Sequence, residues 1–222
     1  MRIGIIVPGG MHVDEPIPAL ISLVSNLSRK HQVFVICLAG QPETFALANA
    51  EVRVISGSKV FSKKATLVSK LMKSLLWFRE KNLDVIHGFW ASHPGFIACS
   101  LGRILSIPVV VSVGGGELIW RPEISYGGAY SLRRRLISRS ALALADHITV
   151  GSQLVQEQVA EQTSVIPLGA ELRANSDSRG QPTDIFRVLH VANIQPVKGP
   201  EIMVQTIDKV LSQRDDIVFD WV

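Results

Sequence analysis

Seven short runs rich in valine and isoleucine punctuate the first 166 residues: Arg2–Val7, Gln32–Leu38, Glu51–Ile55, Asp84–His87, Pro108–Val113, His147–Val150 and Ser164–Ile166. Most are apolar throughout rather than alternating, the pattern of strands covered on both faces. Between them lie stretches with helical spacing: Ile17–Arg29, Val60–Lys81, Pro94–Leu105, Leu132–Ala145 and Ser152–Glu161. Strand and helix in alternation predict right-handed βαβ units. The expected fold is therefore α/β, a Rossmann-like parallel sheet with helices on both faces. The chain has the material for it, since 47% of its 222 residues are hydrophobic and only 19% are charged.

The pattern breaks after Pro167-Leu168-Gly169. Residues 170–184, AELRANSDSRGQPTD, are polar and rich in turn formers, which reads as a linker or an exposed loop. Strand, helix and strand then resume at Phe186–Val191, Gly199–Ser212 and Ile217–Trp221. This predicts one α/β domain over residues 1–169, a linker over 170–184 and, over 185–222, the incomplete opening of a second Rossmann-like domain.

Several function classes are disfavoured at this stage. Cys37 and Cys99 stand alone in apolar stretches, so neither a disulfide framework nor a CxxC metal site is expected. The apolar run before Pro8 is too short for a signal-peptide core, and no run approaches the roughly 18 residues that span a bilayer. A cytoplasmic protein is expected. The net charge of +4 favours anionic partners. Nucleic acid is disfavoured because no RNA- or DNA-binding signature accompanies the charge. The 60–81 helix combines Lys63, Lys70, Lys73 and Lys81 with Trp77, which reads either as a solvated face or as a peripheral contact with the inner face of an anionic membrane.

Four stretches are candidates for chemistry. In open α/β sheets ligands bind beyond the carboxyl ends of strands. Gly9 and Gly10 follow the first run there, as a ligand loop or an ordinary tight turn; the third glycine of a dinucleotide fingerprint is lacking. In IHGFWASHPG, His87 is placed at a strand tip, with Trp90 as a stacking surface or a core residue and His93 as a proton carrier or a helix start. In VVVSVGGGELIW, three glycines run into Glu117, which accepts hydroxyl groups or caps a helix. In HVANIQPVKGPE, Lys198 offers a point charge and Gly199 a backbone N–H to a diphosphate at a helix N-terminus. Arg133, Arg134 and Arg135 add either to a membrane patch or to a phosphate contact.

Taken in order, DVIHGFWASHPG, GRILSIPVVVSVGGGEL, ALADHITVGS, VIPLGAE and VLHVANIQPVKG resemble a GT-B glycosyltransferase of family 4. The resemblance covers nearly the whole chain. It implies two Rossmann-like domains, the first holding mainly a sugar or lipid acceptor and the second a nucleotide-sugar, with retention at the anomeric carbon and no bound metal. It implies that Gly9, Gly10, Asn193, Lys198 and Gly199 lie near the donor diphosphate. His87, Trp90, Gly115 and Glu117 are implied on the acceptor or sugar side, and no catalytic residue is assigned.

The sequence departs from that pattern in three places. A histidine is frequent where Gly114 stands, and an arginine where Asn193 stands. The family's glutamate pair would fall beyond Val222, so a truncated chain of low activity is expected. The alternatives are a non-catalytic half that pairs with a separate C-terminal half or binds carbohydrate, and a GT-B sugar-nucleotide epimerase, which the motif order fits less well.

Overall fold

The computed structural model describes residues 1–11, 16–55, 63–169 and 185–222. The linker expected over 170–184, and the helix start expected at Val60, lie outside them. The chain divides into two compact units, Met1–Trp120 with Gly127–Glu171, and Arg121–Tyr126 with Leu172–Val222.

The first unit is an eight-stranded sheet. Its strands are β1 (Arg2–Val7), β2 (Gln32–Cys37), β3 (Glu43–Leu47), β4 (Ala50–Val54), β5 (Val85–Phe89), β6 (Val109–Val113), β7 (His147–Val150) and β8 (Thr163–Val165). They lie in the order β3-β4-β2-β1-β5-β6-β7-β8, parallel except for β3. The order reverses at β1, the switch point at which such sheets open a crevice. Helix α1 (Pro18–Ser28) buries Leu20 and Val24 against Ile5, Val35 and Val52 on one face. Helices α2 (Lys63–Arg79), α3 (His93–Leu105) and α4 (Leu132–Leu144) cover the other face through Phe78, Ile97, Leu101 and Ala141. The expected α/β class and the helices on both faces are therefore present.

Three local expectations change. Glu43–Leu47 is a strand the sequence does not announce: it pairs antiparallel with β4 through a two-residue loop. The first loop residue is Ala48 at φ 52, where glycine or asparagine is the usual signal. The helix expected over Ser152–Glu161 is a single turn, α5 (Gln153–Gln156), capped by Ser152. Trp77 is not an exposed membrane anchor. It is only 5% exposed, edge-on to Phe34 and stacked on Phe78, with the Lys81 ammonium 5.1 Å from its ring centre. Leu67, Leu71 and Leu75 pack inward beside it, whereas Val68 and Leu76 are about 60% exposed.

The second unit pairs β9 (Phe186–His190) with β10 (Ile217–Trp221) in parallel, with helix α6 (Pro200–Leu211) between them in sequence. Ile202 and Leu211 on α6 are exposed, as are Phe186 and Leu189 on β9.

Candidate functional site

The carboxyl ends of β5 and β6 are locked together by one side chain. Glu117 Oε1 accepts the N–H of Ala91 at 3.1 Å, after β5, and that of Gly114 at 3.0 Å, after β6. Neither sequence reading of Glu117 anticipates this: no helix begins there, and half of the carboxylate is already spent on backbone. Among the described residues Oε2 has no hydrogen-bond partner and remains the oxygen that can meet a ligand.

Trp90 leads this turn with φ 79, a conformation costly for a bulky side chain. Its carbonyl accepts the Gly95 N–H at 2.9 Å, which fixes the entry into α3. Its indole explains the glycine at 114. A Cβ there would lie 2.7 Å from Trp90 Nε1, so the ring occupies the space that a side chain at 114 would enter. Trp90, Gly114 and Glu117 are thus one interlocked group. Gly115 is buried at φ 96 against Val155.

His87 is elsewhere than expected. The strand runs two residues past it to Phe89, so His87 is mid-strand rather than at a tip. It is mostly buried, and its Nε2 lies 2.7 Å from Ser112 Oγ, which lies 2.7 Å from Thr149 Oγ1. Burial lowers the His87 pKa to about 4, so the ring is neutral near pH 7. The result is a short polar row across β5, β6 and β7. Sequence reasoning passed over Ser112 and Thr149, although each is a hydroxyl in an otherwise apolar strand end, which is the signal that marks them.

Gly9 and Gly10 follow β1 as expected. Gly10 is folded at φ 78 against Ile17, where a Cβ would come within 2.2 Å of Ile17 Cγ1. Gly9 has open space, its nearest contact for a Cβ being 3.6 Å away. His93, the first residue of α3, lines a cleft of about 640 Å³ with Pro8, Lys70, Arg133 and Arg134. The consecutive arginines part here: Arg135 turns to the Trp120 ring and donates to the Ala129 carbonyl.

In the second unit, Asn193 and Lys198 are exposed within the loop between β9 and α6. The expected diphosphate donor Gly199 requires correction. Its N–H donates to Pro196 O at 3.0 Å inside a 3-10 turn over Pro196–Lys198. Gly199 instead supplies the left-handed turn, φ 61, that starts α6. Pro200 has no N–H, so the Glu201 and Ile202 amides are the donors the helix N-terminus presents.

Among the described residues no three of His, Cys, Asp and Glu gather as metal ligands, and no helix is long and apolar enough to cross a membrane. Both cysteines are buried and free, with the Cys99 thiol pushed up to about 12 by burial.

Known proteins share this architecture. HepE of Anabaena, solved in complex with UDP and glucose, superposes with a TM-score of 0.70 at 19% identity over 100% of this chain and 60% of its own. MurG of Acinetobacter baumannii gives 0.57 at 10% identity, over 100% of this chain and 65% of that one. The UDP-GlcNAc 2-epimerase of Methanocaldococcus jannaschii gives 0.58 at 10%, over 99% and 65%. The chain therefore spans about three-fifths of the length of these structures, and identities this low establish the fold alone. No curated protein matches the chain at a significant level. The model of the glycosyl transferase 4-like domain matches residues 20–169, from α1 through β8. With that match over most of its length, the chain belongs to the glycosyl transferase 4-like family.

Proposed function

We propose that residues 1–169 form the acceptor-side domain of a retaining glycosyltransferase that uses a nucleotide-sugar donor, and that residues 185–222 open its donor-side domain. The observation that carries this reading is the family match over residues 20–169. The likeness to HepE, which was solved with UDP and glucose, supports a nucleotide-sugar as donor.

In this reading the protein's work is electrostatic. A sugar leaving its diphosphate develops positive charge at the anomeric carbon and negative charge on the phosphates. Lys198 and the Glu201 and Ile202 amides at the start of α6 would meet the phosphates. Glu117 Oε2 and the Trp90 ring would face a sugar or acceptor hydroxyl group at the carboxyl ends of β5 and β6. His87, neutral and tied to Ser112, would shape that end of the sheet rather than carry a proton.

Donor binding by the 222-residue chain is expected to be weak, because Asn193, Lys198, Glu201 and Ile202, which carry the groups it offers, are all exposed. Calorimetric titration with UDP- and GDP-sugars measures this, and a product assay read by anomeric NMR coupling measures retention. Transfer with inversion would overturn the retaining assignment. A second reading, sugar-nucleotide epimerisation, draws on the likeness to the Methanocaldococcus jannaschii enzyme. Conversion of a UDP-sugar to its epimer without any acceptor would favour it.

A further inference from the structure

The cleft that holds His93 has a one-sided charge. Lys70 reaches it from α2, His93 from the start of α3, and Arg133 and Arg134 from the start of α4. No aspartate or glutamate stands among the described residues that line it. A neighbouring cleft of about 440 Å³, between the β3–β4 hairpin and α2, balances Arg53 and Lys73 with Glu43 and Glu80. Positive charge is therefore unbalanced in the first cleft and balanced in the second.

The cations are also held in place. Lys70 is half-buried, and among the described residues its ammonium has no carboxylate partner. Burial lowers its pKa, the direction expected of a cation awaiting a counter-charge. The Arg134 guanidinium lies 4.6 Å from the centre of the Tyr130 ring, within cation–π range, at the exposed rim of the cleft. Two helix N-termini add positive potential, α3 at His93 and α4 behind its Ser131 cap. Burial, then Arg133, Lys70 and Arg134, lower the pKa of His93.

We propose that this cleft binds the phosphate or diphosphate group of an anionic acceptor. The word acceptor rests on the function proposed above; the anion binding does not. The phosphate belongs either to a soluble molecule or to a lipid headgroup, and the two sources share the chemistry that Lys70 and Arg134 recognise.

The test is calorimetric titration of the full chain with sodium pyrophosphate at low salt. The Lys70→Gln, Arg134→Gln double variant should bind at least tenfold more weakly, and Arg139→Gln, an exposed arginine of α4 outside the cleft, should bind as the wild type does. Melting curves of both variants confirm that they fold. The unmodified protein supplies a second measurement: pyrophosphate should raise the His93 pKa, followed by its imidazole proton resonance. Displacement of pyrophosphate by phosphatidate-containing vesicles, but not by phosphatidylcholine vesicles, supports the cleft with a lipid source. Absence of displacement supports it with a soluble source. Equal pyrophosphate binding by wild type and double variant, or a His93 resonance that ignores pyrophosphate, would overturn the proposal. So would loss of UDP affinity in parallel with pyrophosphate, which would make the cleft a donor site. A chain that transfers sugar yet ignores pyrophosphate loses this inference and keeps the proposed function; one that binds pyrophosphate but transfers nothing keeps only the anion site.

Discussion

Two strand-to-helix turns, one in each unit, solve the same problem differently. Between β5 and α3 the chain turns in three residues, with Trp90 in a left-handed conformation and Ala91 fully buried. Its partner is distant in sequence: Glu117 reaches the Ala91 amide across 26 residues. Between β9 and α6 the turn takes nine residues and is built mainly from its own neighbours, Gln195 N–H to Asn193 O, Lys198 N–H to Gln195 O and Gly199 N–H to Pro196 O. A glycine takes the left-handed position. The short buried turn spends its polar groups on holding itself, while the long exposed turn leaves the Lys198 side chain and the first residues of α6 open to solvent. Residue type alone is therefore a poor guide to which glutamate or lysine is available for binding.

The contrast predicts that substitutions in the first turn cost stability and those in the second cost affinity. The largest effect should follow Glu117→Ala, which strands the buried amide of Ala91 and leaves that of exposed Gly114 to water, and should remove about 3 kcal/mol in urea unfolding. Glu117→Gln keeps one acceptor oxygen and should lose less than half of that. Equal losses in the two variants would break the idea of a clamp.

Acid should weaken the strand that feeds the same turn. The His87 pKa is lowered to about 4 in the native state from 6.5, so between those values the unfolded chain takes up a proton that the folded chain refuses. Stability should fall as pH drops from 6.5 towards 4, by on the order of 3 kcal/mol. A His87→Gln variant should show a flatter pH profile, and an unchanged slope would count against the buried neutral ring.

Gly114→Ala should come next, at about 2 kcal/mol, because its Cβ must push the Trp90 indole aside. The displaced indole should show as a shift in tryptophan fluorescence. In the second turn Gly199→Ala should cost only about 1 kcal/mol, the price of φ 61 for a residue with a Cβ. Hydrogen exchange of the α6 amides reads this locally. The smallest stability effect, under about 0.5 kcal/mol, should follow Lys198→Gln. That variant should instead weaken nucleotide-sugar binding, and a larger effect on melting than on donor affinity would reverse the comparison.

Much of the fold was legible because β-branched runs and helical spacing announce themselves. Seven strands of the first unit lie within a few residues of the runs that predicted them. The eighth, Glu43–Leu47, was hidden because its loop uses Ala48 where glycine or asparagine would have signalled a hairpin. The site was less legible. Glycines and a glutamate at strand ends were visible, but the Glu117 clamp and the Trp90–Gly114 interlock join segments more than 20 residues apart, and no local pattern encodes such a contact. Trp77 shows the converse. Lysines around a tryptophan resemble a membrane anchor in one dimension, whereas packing on Phe34 and Phe78 removes the ring from solvent.

The amino-acid order settles the α/β class, the covered parallel strands and the places where chain reversals gather glycine, because apolar periodicity and backbone freedom are properties of neighbouring residues. Which polar groups remain available is decided in three dimensions. Glu117 has one oxygen committed, Gly199 has its N–H committed, and Lys70, Arg133 and Arg134 converge from two helices on one cleft. Hydrogen-bond capacity and electrostatic potential depend on which groups meet across the fold, and that meeting follows from the packing of helices on the sheet.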